Sequence, residues 1–172
     1  EILNSKTQIP WPEVYGKQVY NFWQDDKNPR GVWRRTSLED YKRERPRWET
    51  VLDLDELAAK EKENWVWDDD ECFYPKFERC LLQFSRGGGD AVVVREFDVV
   101  KKRFVTDGFN VPEAKTSIHW KTLDSVFIAT NEGPSSLTDS GYPRLVREWK
   151  RGTKRDSATI VFEGTHSDID VS

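Results

Sequence analysis

The chain has 172 residues, of which 27 are Lys or Arg and 31 are Asp or Glu, leaving a net charge of −4 with the two signs interspersed. That distribution lacks the clustered basic face of a nucleic-acid binder, and no apolar run approaches the roughly 20 residues of a membrane span. A mean hydropathy of −0.80 is polar for a domain with its own core, but 8 Trp, 5 Tyr and 9 Phe supply the large buried surfaces that disordered chains lack.

Residues 1–16, with Pro10, Pro12 and Gly16 around Trp11, suit an irregular lead-in. Strand signals begin at Val19. Residues 18–23 alternate β-formers with polar residues, a turn at 25–31 interrupts them, and 32–36 resume, which predicts a hairpin followed by a third strand at 48–52. Asp55 precedes a run of helix formers with acids in the first turn, so a short N-capped helix is expected near 55–64, ended by Asn64. Trp65-Val66-Trp67 returns to strand. The acidic stretch 68–71 reads as a solvated turn, because it lacks the central Gly and closing Glu of a calcium loop. Cys72 and Cys80 are eight apart with neither CxxC spacing nor a nearby His, and read as reduced thiols rather than zinc ligands.

From Cys80 the pattern is regular. Residues 81–84 and 91–94 flank a Gly-rich turn, Gly87-Gly88-Gly89, whose permissive backbone suits a tight hairpin. A triple Gly that cradled phosphate would need a following helix, and a β-branched run follows instead. Further strands are expected at 103–105, 118–120, 125–129, 144–149 and 158–164, with a long polar loop at 131–143 and a polar tail at 165–172. Val94-Arg95-Glu96-Phe97 returns 52 positions later as Val146-Arg147-Glu148-Trp149, each time followed by a basic turn.

Self-similarity at a period near fifty points to the blades of a β-propeller. The expected fold is all-β: a partial β-propeller of about three four-stranded antiparallel blades, at 17–63, 64–115 and 116–164, with one short helix. Three blades cannot close a ring, since propellers have about four to eight. The chain also contains no Met, and is expected to be a piece of something longer.

Seven separated blocks carry a family resemblance. Trp33-Arg34-Arg35-Thr36 with Tyr41, the run from Leu52 to Ala58, Trp65-Val66-Trp67, the runs from Leu82 to Gly88 and from Asp90 to Asp98, Pro112-Glu113-Ala114-Lys115, and Thr138 to Arg144 follow one another in family order. Together they resemble the N-terminal propeller portion of bacterial prolyl oligopeptidase-family serine peptidases, over residues 15–164. The resemblance implies a seven-bladed propeller capping an α/β-hydrolase domain that carries a Ser-Asp-His triad and cleaves short peptides after proline. The propeller then serves as lid and size filter, and no cofactor is implied.

The nucleophile is not in this chain. A hydrolase elbow needs Gly-x-Ser-x-Gly, and Gly133-Pro134-Ser135-Ser136-Leu137 fails at its last position. His119 in a strand and His166 in the tail have no evident nucleophile partner. Catalytic and metal residues are therefore expected to be absent, and the segment is predicted inactive alone. The long loop either merely covers a blade end or makes binding or interdomain contacts, with Asp139 and Arg144 as a pair or as contacts to a second domain and Tyr142 as a rigid aromatic contact. Arg34, Arg35, Arg95 and Arg147 either line a tunnel or pair across a solvated sheet face.

The expected partners are a C-terminal α/β-hydrolase domain and short peptides, without nucleic acid or membrane, and the open blade face predicts self-association of the isolated chain. The cytoplasm is the default location. The alternative is a stand-alone β-rich module that binds protein or sugar, which requires a complete set of blades within 172 residues.

Overall fold

A computed structural model describes residues 11–168 of the chain. Thirteen strands form three consecutive antiparallel sheets. The first is β1 (Glu13–Tyr15), β2 (Gln18–Trp23), β3 (Val32–Ser37) and β4 (Glu49–Asp53), paired in chain order. The second is β5 (Trp65–Cys72), β6 (Arg79–Arg86), β7 (Val92–Asp98) and β8 (Arg103–Phe104), with β9 (Asn110–Ala114) also pairing with β7. The third is β10 (Thr116–Thr122), β11 (Ser125–Thr130), β12 (Leu145–Lys150) and β13 (Thr159–Glu163). The echoed motif falls on β7 and β12, each the third strand of its sheet.

Burial shows how the sheets stack. On β6 the six residues from Cys80 to Ser85 are all buried, which a half-solvated sheet would not allow. Cys80, Leu82 and Phe84 enter a core shared with the first sheet, beside Tyr20, Trp33 and Trp65, whereas Leu81 enters a core shared with the third sheet, beside Phe109, Ile118 and Trp149. The period-2 geometry of a strand sends alternate side chains to opposite faces, so the middle sheet supplies both cores. Aromatic rings fill them: Tyr20 and Trp33 lie 5.1 Å apart, and Phe109 meets Trp149 edge-on at 5.1 Å. Each such ring contributes about 1.5–3 kcal/mol by burial, which offsets the low apolar content of the chain.

Because each sheet is a meander, its connections alternate between two ends. One end gathers the connections at 16–17, 38–48, 73–78, 99–102, 123–124 and 151–158; the other gathers 24–31, 54–64, 87–91 and 131–144. Contacts between sheets keep the ends in register. At the first end Lys102 Nζ donates to the Thr50 carbonyl at 2.8 Å and pairs with Glu49 at 2.7 Å. At the second, Arg30 Nη1 reaches the Trp65 carbonyl at 3.0 Å.

Several expectations are corrected. Residues 68–71 are not a turn: they continue β5 through an irregularity between Trp67 and Asp69, and the acids are tolerated because β5 is a sheet edge. Cys72 and Cys80 are not reduced thiols. They face each other in register on β5 and β6, with Cα atoms 4.0 Å apart, and form a disulfide.

A helix α1 (Leu38–Tyr41), capped by the Ser37 hydroxyl, was not anticipated. Helix α2 (Leu54–Glu61) is capped by Asp53 rather than Asp55 and ends at left-handed Lys62 rather than Asn64. Asp55 instead accepts from the backbone N–H groups of Arg30 and Gly31. Glu13–Tyr15 pair with β2 inside the expected lead-in, whose first ten residues lie outside the described ones. β9 runs through Pro112, which a strand reading disfavours but an edge strand accepts. Among the described residues no helix is long and apolar enough to cross a membrane.

Candidate functional site

The long loop at 131–144 is ordered by its own polar groups. Asn131 Oδ1 accepts from the Gly133 N–H at 2.9 Å, the Ser136 hydroxyl accepts from the Glu132 N–H at 2.8 Å, and a 3₁₀ turn forms at Pro134–Ser136. The Thr138 N–H then bonds the Tyr142 carbonyl at 2.8 Å, closing the tip. Ser136 and Thr138 are buried as a result.

The three candidate residues sit on this loop but do not converge. Arg144 does not pair with Asp139: its Nη1 holds Glu163 Oε1 at 2.7 Å and the Gly164 carbonyl at 2.9 Å, tying the loop to β13. Asp139 has an exposed carboxylate, and its backbone N–H bonds the His166 carbonyl at 2.7 Å. Tyr142 is half-buried beneath Lys115, whose ammonium stands 4.0 Å above the ring centre. A cation held there anchors the loop to the junction of β9 and β10.

Each of the four arginines expected either in a tunnel or in pairs has a local partner. Arg35 pairs with Glu49 at 2.7 Å, Arg95 with Glu61 at 2.9 Å and Arg147 with Glu132 at 2.9 Å. Arg34 lies between the rings of Trp23 and Trp48, at 4.3 and 4.4 Å. Hydrogen bonds from Arg35 and Lys102 hold Glu49 down at about 2, so it stays charged through the ordinary pH range.

One buried and one half-buried acid were not visible as such in the sequence. Glu96 on β7 is wholly buried and accepts both Arg151 nitrogens, at 2.8 and 3.1 Å, together with the Phe109 N–H at 2.9 Å. It clasps the second sheet to the third. Asp70 on β5 accepts from the Tyr15 hydroxyl at 3.1 Å, across the first and second sheets. Burial and the nearby Glu13 and Asp69 carboxylates push Asp70 up to about 8, and the same surroundings raise Tyr15.

His119 has partners after all. Its Nδ1 is 2.9 Å from Glu71 Oε2 and its Nε2 is 3.3 Å from the Ser117 hydroxyl. The order acid, imidazole, hydroxyl is that of a catalytic triad, but the setting is not. A hydrolase serine stands on a strained elbow beside donors for the oxyanion, whereas Ser117 is mid-strand in register with Ala129. Glu71 also accepts from the Trp120 N–H at 3.2 Å, so the group works as a clasp between sheets. Only the spacing of Ser117 and His119 on one strand face hinted at it.

The family model described as the prolyl oligopeptidase N-terminal beta-propeller domain matches residues 2–171. The chain belongs to that family. Its three sheets are a partial propeller, and an uncharacterised peptidase of Sinorhizobium fredii is 40% identical to it over 98% of the chain. A second uncharacterised peptidase, from Rickettsia prowazekii, is 35% identical over 90% of it.

Among solved structures, a post-proline cleaving enzyme from Rickettsia typhi superposes with a TM-score of 0.88 at 32% identity, over 98% of this chain. Oligopeptidase B from Leishmania major, at 15% identity and a TM-score of 0.68 over 89% of the chain, shares the fold. The chain spans 23% of the Sinorhizobium peptidase and 26% of the Rickettsia typhi enzyme.

Proposed function

We propose that this propeller segment is the non-catalytic lid and size filter of a serine oligopeptidase that hydrolyses short peptides after proline. The observation that carries the reading is the likeness to the post-proline cleaving enzyme of Rickettsia typhi, which extends over nearly the whole chain at 32% identity. The absence of a Gly-x-Ser-x-Gly elbow from the 172 residues supports a division of labour in which a C-terminal α/β-hydrolase domain supplies the triad.

On this reading the blades are residues 13–63, which takes in β1 ahead of the expected start at 17, then 64–115 and 116–164. The 131–144 loop lies at one end of the blades, where Asp139 and Tyr142 contact the companion domain and Arg144 holds the loop in shape. The disulfide supports an oxidising compartment over the cytoplasmic default.

The test compares the full-length protein with the 172-residue chain on a fluorogenic peptide cleaved after proline. Turnover by the full-length protein that a serine-directed phosphonate abolishes, with none from the chain alone, is expected. Turnover by the chain alone, or a full-length protein indifferent to proline, overturns the reading.

A further inference from the structure

The two ends of the blades differ in what their connections expose. At the first end, four of the six connections present a large apolar side chain to solvent: Tyr41 (38% exposed), Tyr74 (74%), Val100 (63%) and Leu123 (44%). None of the connections at the second end presents one among the described residues, although Trp11 (90%), just before β1, is exposed on that side.

Three of these side chains are followed by cations. Lys42 and Arg43 follow Tyr41, Lys76 follows Tyr74, and Lys101 follows Val100. Lys42, Arg43 and Lys101 pair with Glu39, Asp40 and Asp98 at 3.3, 3.1 and 3.8 Å, but the end keeps a positive surplus, with 11 Lys or Arg against 6 Asp or Glu in its connections. The second end is acidic instead, with 9 Asp or Glu against 5 Lys or Arg in its connections. The basic turn that follows the echoed strand motif in the sequence therefore belongs to a polarised molecule.

From this asymmetry we infer that the first end docks on an anionic lipid surface. Single apolar side chains on separate connections, three of the four beside Lys or Arg, match what shallow insertion requires: apolar atoms below the headgroups and cations among them. A protein interface would instead present a contiguous apolar centre with a polar rim. Charge complementarity also fixes the orientation, because the acidic second end is repelled by the same surface. β1 begins and β13 ends at that second end, so the docking tips are clear of both. The inference is independent of the peptidase reading.

The test is co-sedimentation of the full-length protein with vesicles of phosphatidylcholine alone or mixed with phosphatidylserine. Binding to the mixed vesicles only, weakening as salt is raised, is expected. Lys101→Glu together with Lys42→Glu should weaken it by roughly five-fold for each cation removed, and Val100→Ser by a further few-fold. Unchanged melting temperatures establish that these exposed substitutions leave the fold intact. Equal binding to both vesicle types, no binding to either, or binding indifferent to the substitutions overturns the inference. So does salt-sensitive capture of an acidic protein in place of the vesicles. Loss of proline-specific turnover with vesicle binding retained would strike the peptidase reading alone.

Discussion

Glu96 is the residue on which the junction of the second and third blades depends most. A carboxylate with no exposure is tolerated because the Arg151 fork, the Phe109 N–H and Arg79 at 3.4 Å occupy its oxygens. Its surroundings are tight as well: a Cβ on Gly108 would come within 2.7 Å of Glu96 Oε2. Removing one member of a buried ion pair strands the other, at a cost of several kcal/mol. Glu96→Gln should destabilise the chain by about 3 kcal/mol in chemical denaturation, and Arg151→Met by at least as much, because it strands the wholly buried carboxylate while Glu96→Gln leaves only the more exposed Arg151 to turn to water.

Asp70 makes the opposite kind of prediction. Its carboxyl, ordinarily near 3.8, is held at about 8 in the fold. Between those values the folded chain keeps a proton that the unfolded chain has released, so stability falls as pH rises from about 4 to about 8 and levels off beyond. Asp70→Asn removes that slope and should stabilise the chain on the order of 2 kcal/mol at pH 8 or above, allowing for partial exposure. Melting temperatures across that range check it; an Asn variant with the same slope as the parent refutes it.

At the scale of elements, the legible parts of the sequence were those governed by local chemistry. The Gly87-Gly88-Gly89 turn, with positive φ at Gly87 and Gly88, and the hairpin it joins follow from backbone permissiveness alone. The partial propeller followed from the echoed strand, since β7 and β12 occupy the same place in their sheets. What was illegible depends on partners distant in sequence. Residues 68–71 are strand because β6 pairs with them, and the half-buried Asp70 and buried Glu96 are satisfied by Tyr15 and Arg151, each 55 residues away.

The disulfide is a case in the middle. Eight residues between Cys72 and Cys80 permit a hairpin, but only the pairing of β5 with β6 sets them opposite each other. Closing so short a loop constrains the unfolded chain modestly, so replacing both cysteines with Ser should cost about 2 kcal/mol. Thiol labelling of the native protein should find neither cysteine reactive, and labelling without denaturant would show the bond to be absent.

For the whole molecule, comparison of β6 with β13 shows what a blade needs. β6 lies between neighbours on both sides and buries six consecutive residues, whereas every residue of β13 is exposed, with Ile160, Val161 and Phe162 at 44, 47 and 56%. The difference lies in their places: β6 is an interior strand, whereas β13 is the outer edge of the third sheet, whose own interior strand β11 buries five of its six residues. A contiguous apolar strand on a sheet edge is an invitation to pairing, and repeat units gain stability from neighbours rather than from themselves. The isolated chain is therefore expected to self-associate through β13. Its average mass in sedimentation should rise with concentration, and Ile160→Lys with Phe162→Lys should return it to the monomer over the same range. Those positions contribute little to the existing cores, so the double variant should melt within about 0.5 kcal/mol of the parent chain. A parent chain that stays monomeric at every concentration would show that an open blade face is tolerated without a partner.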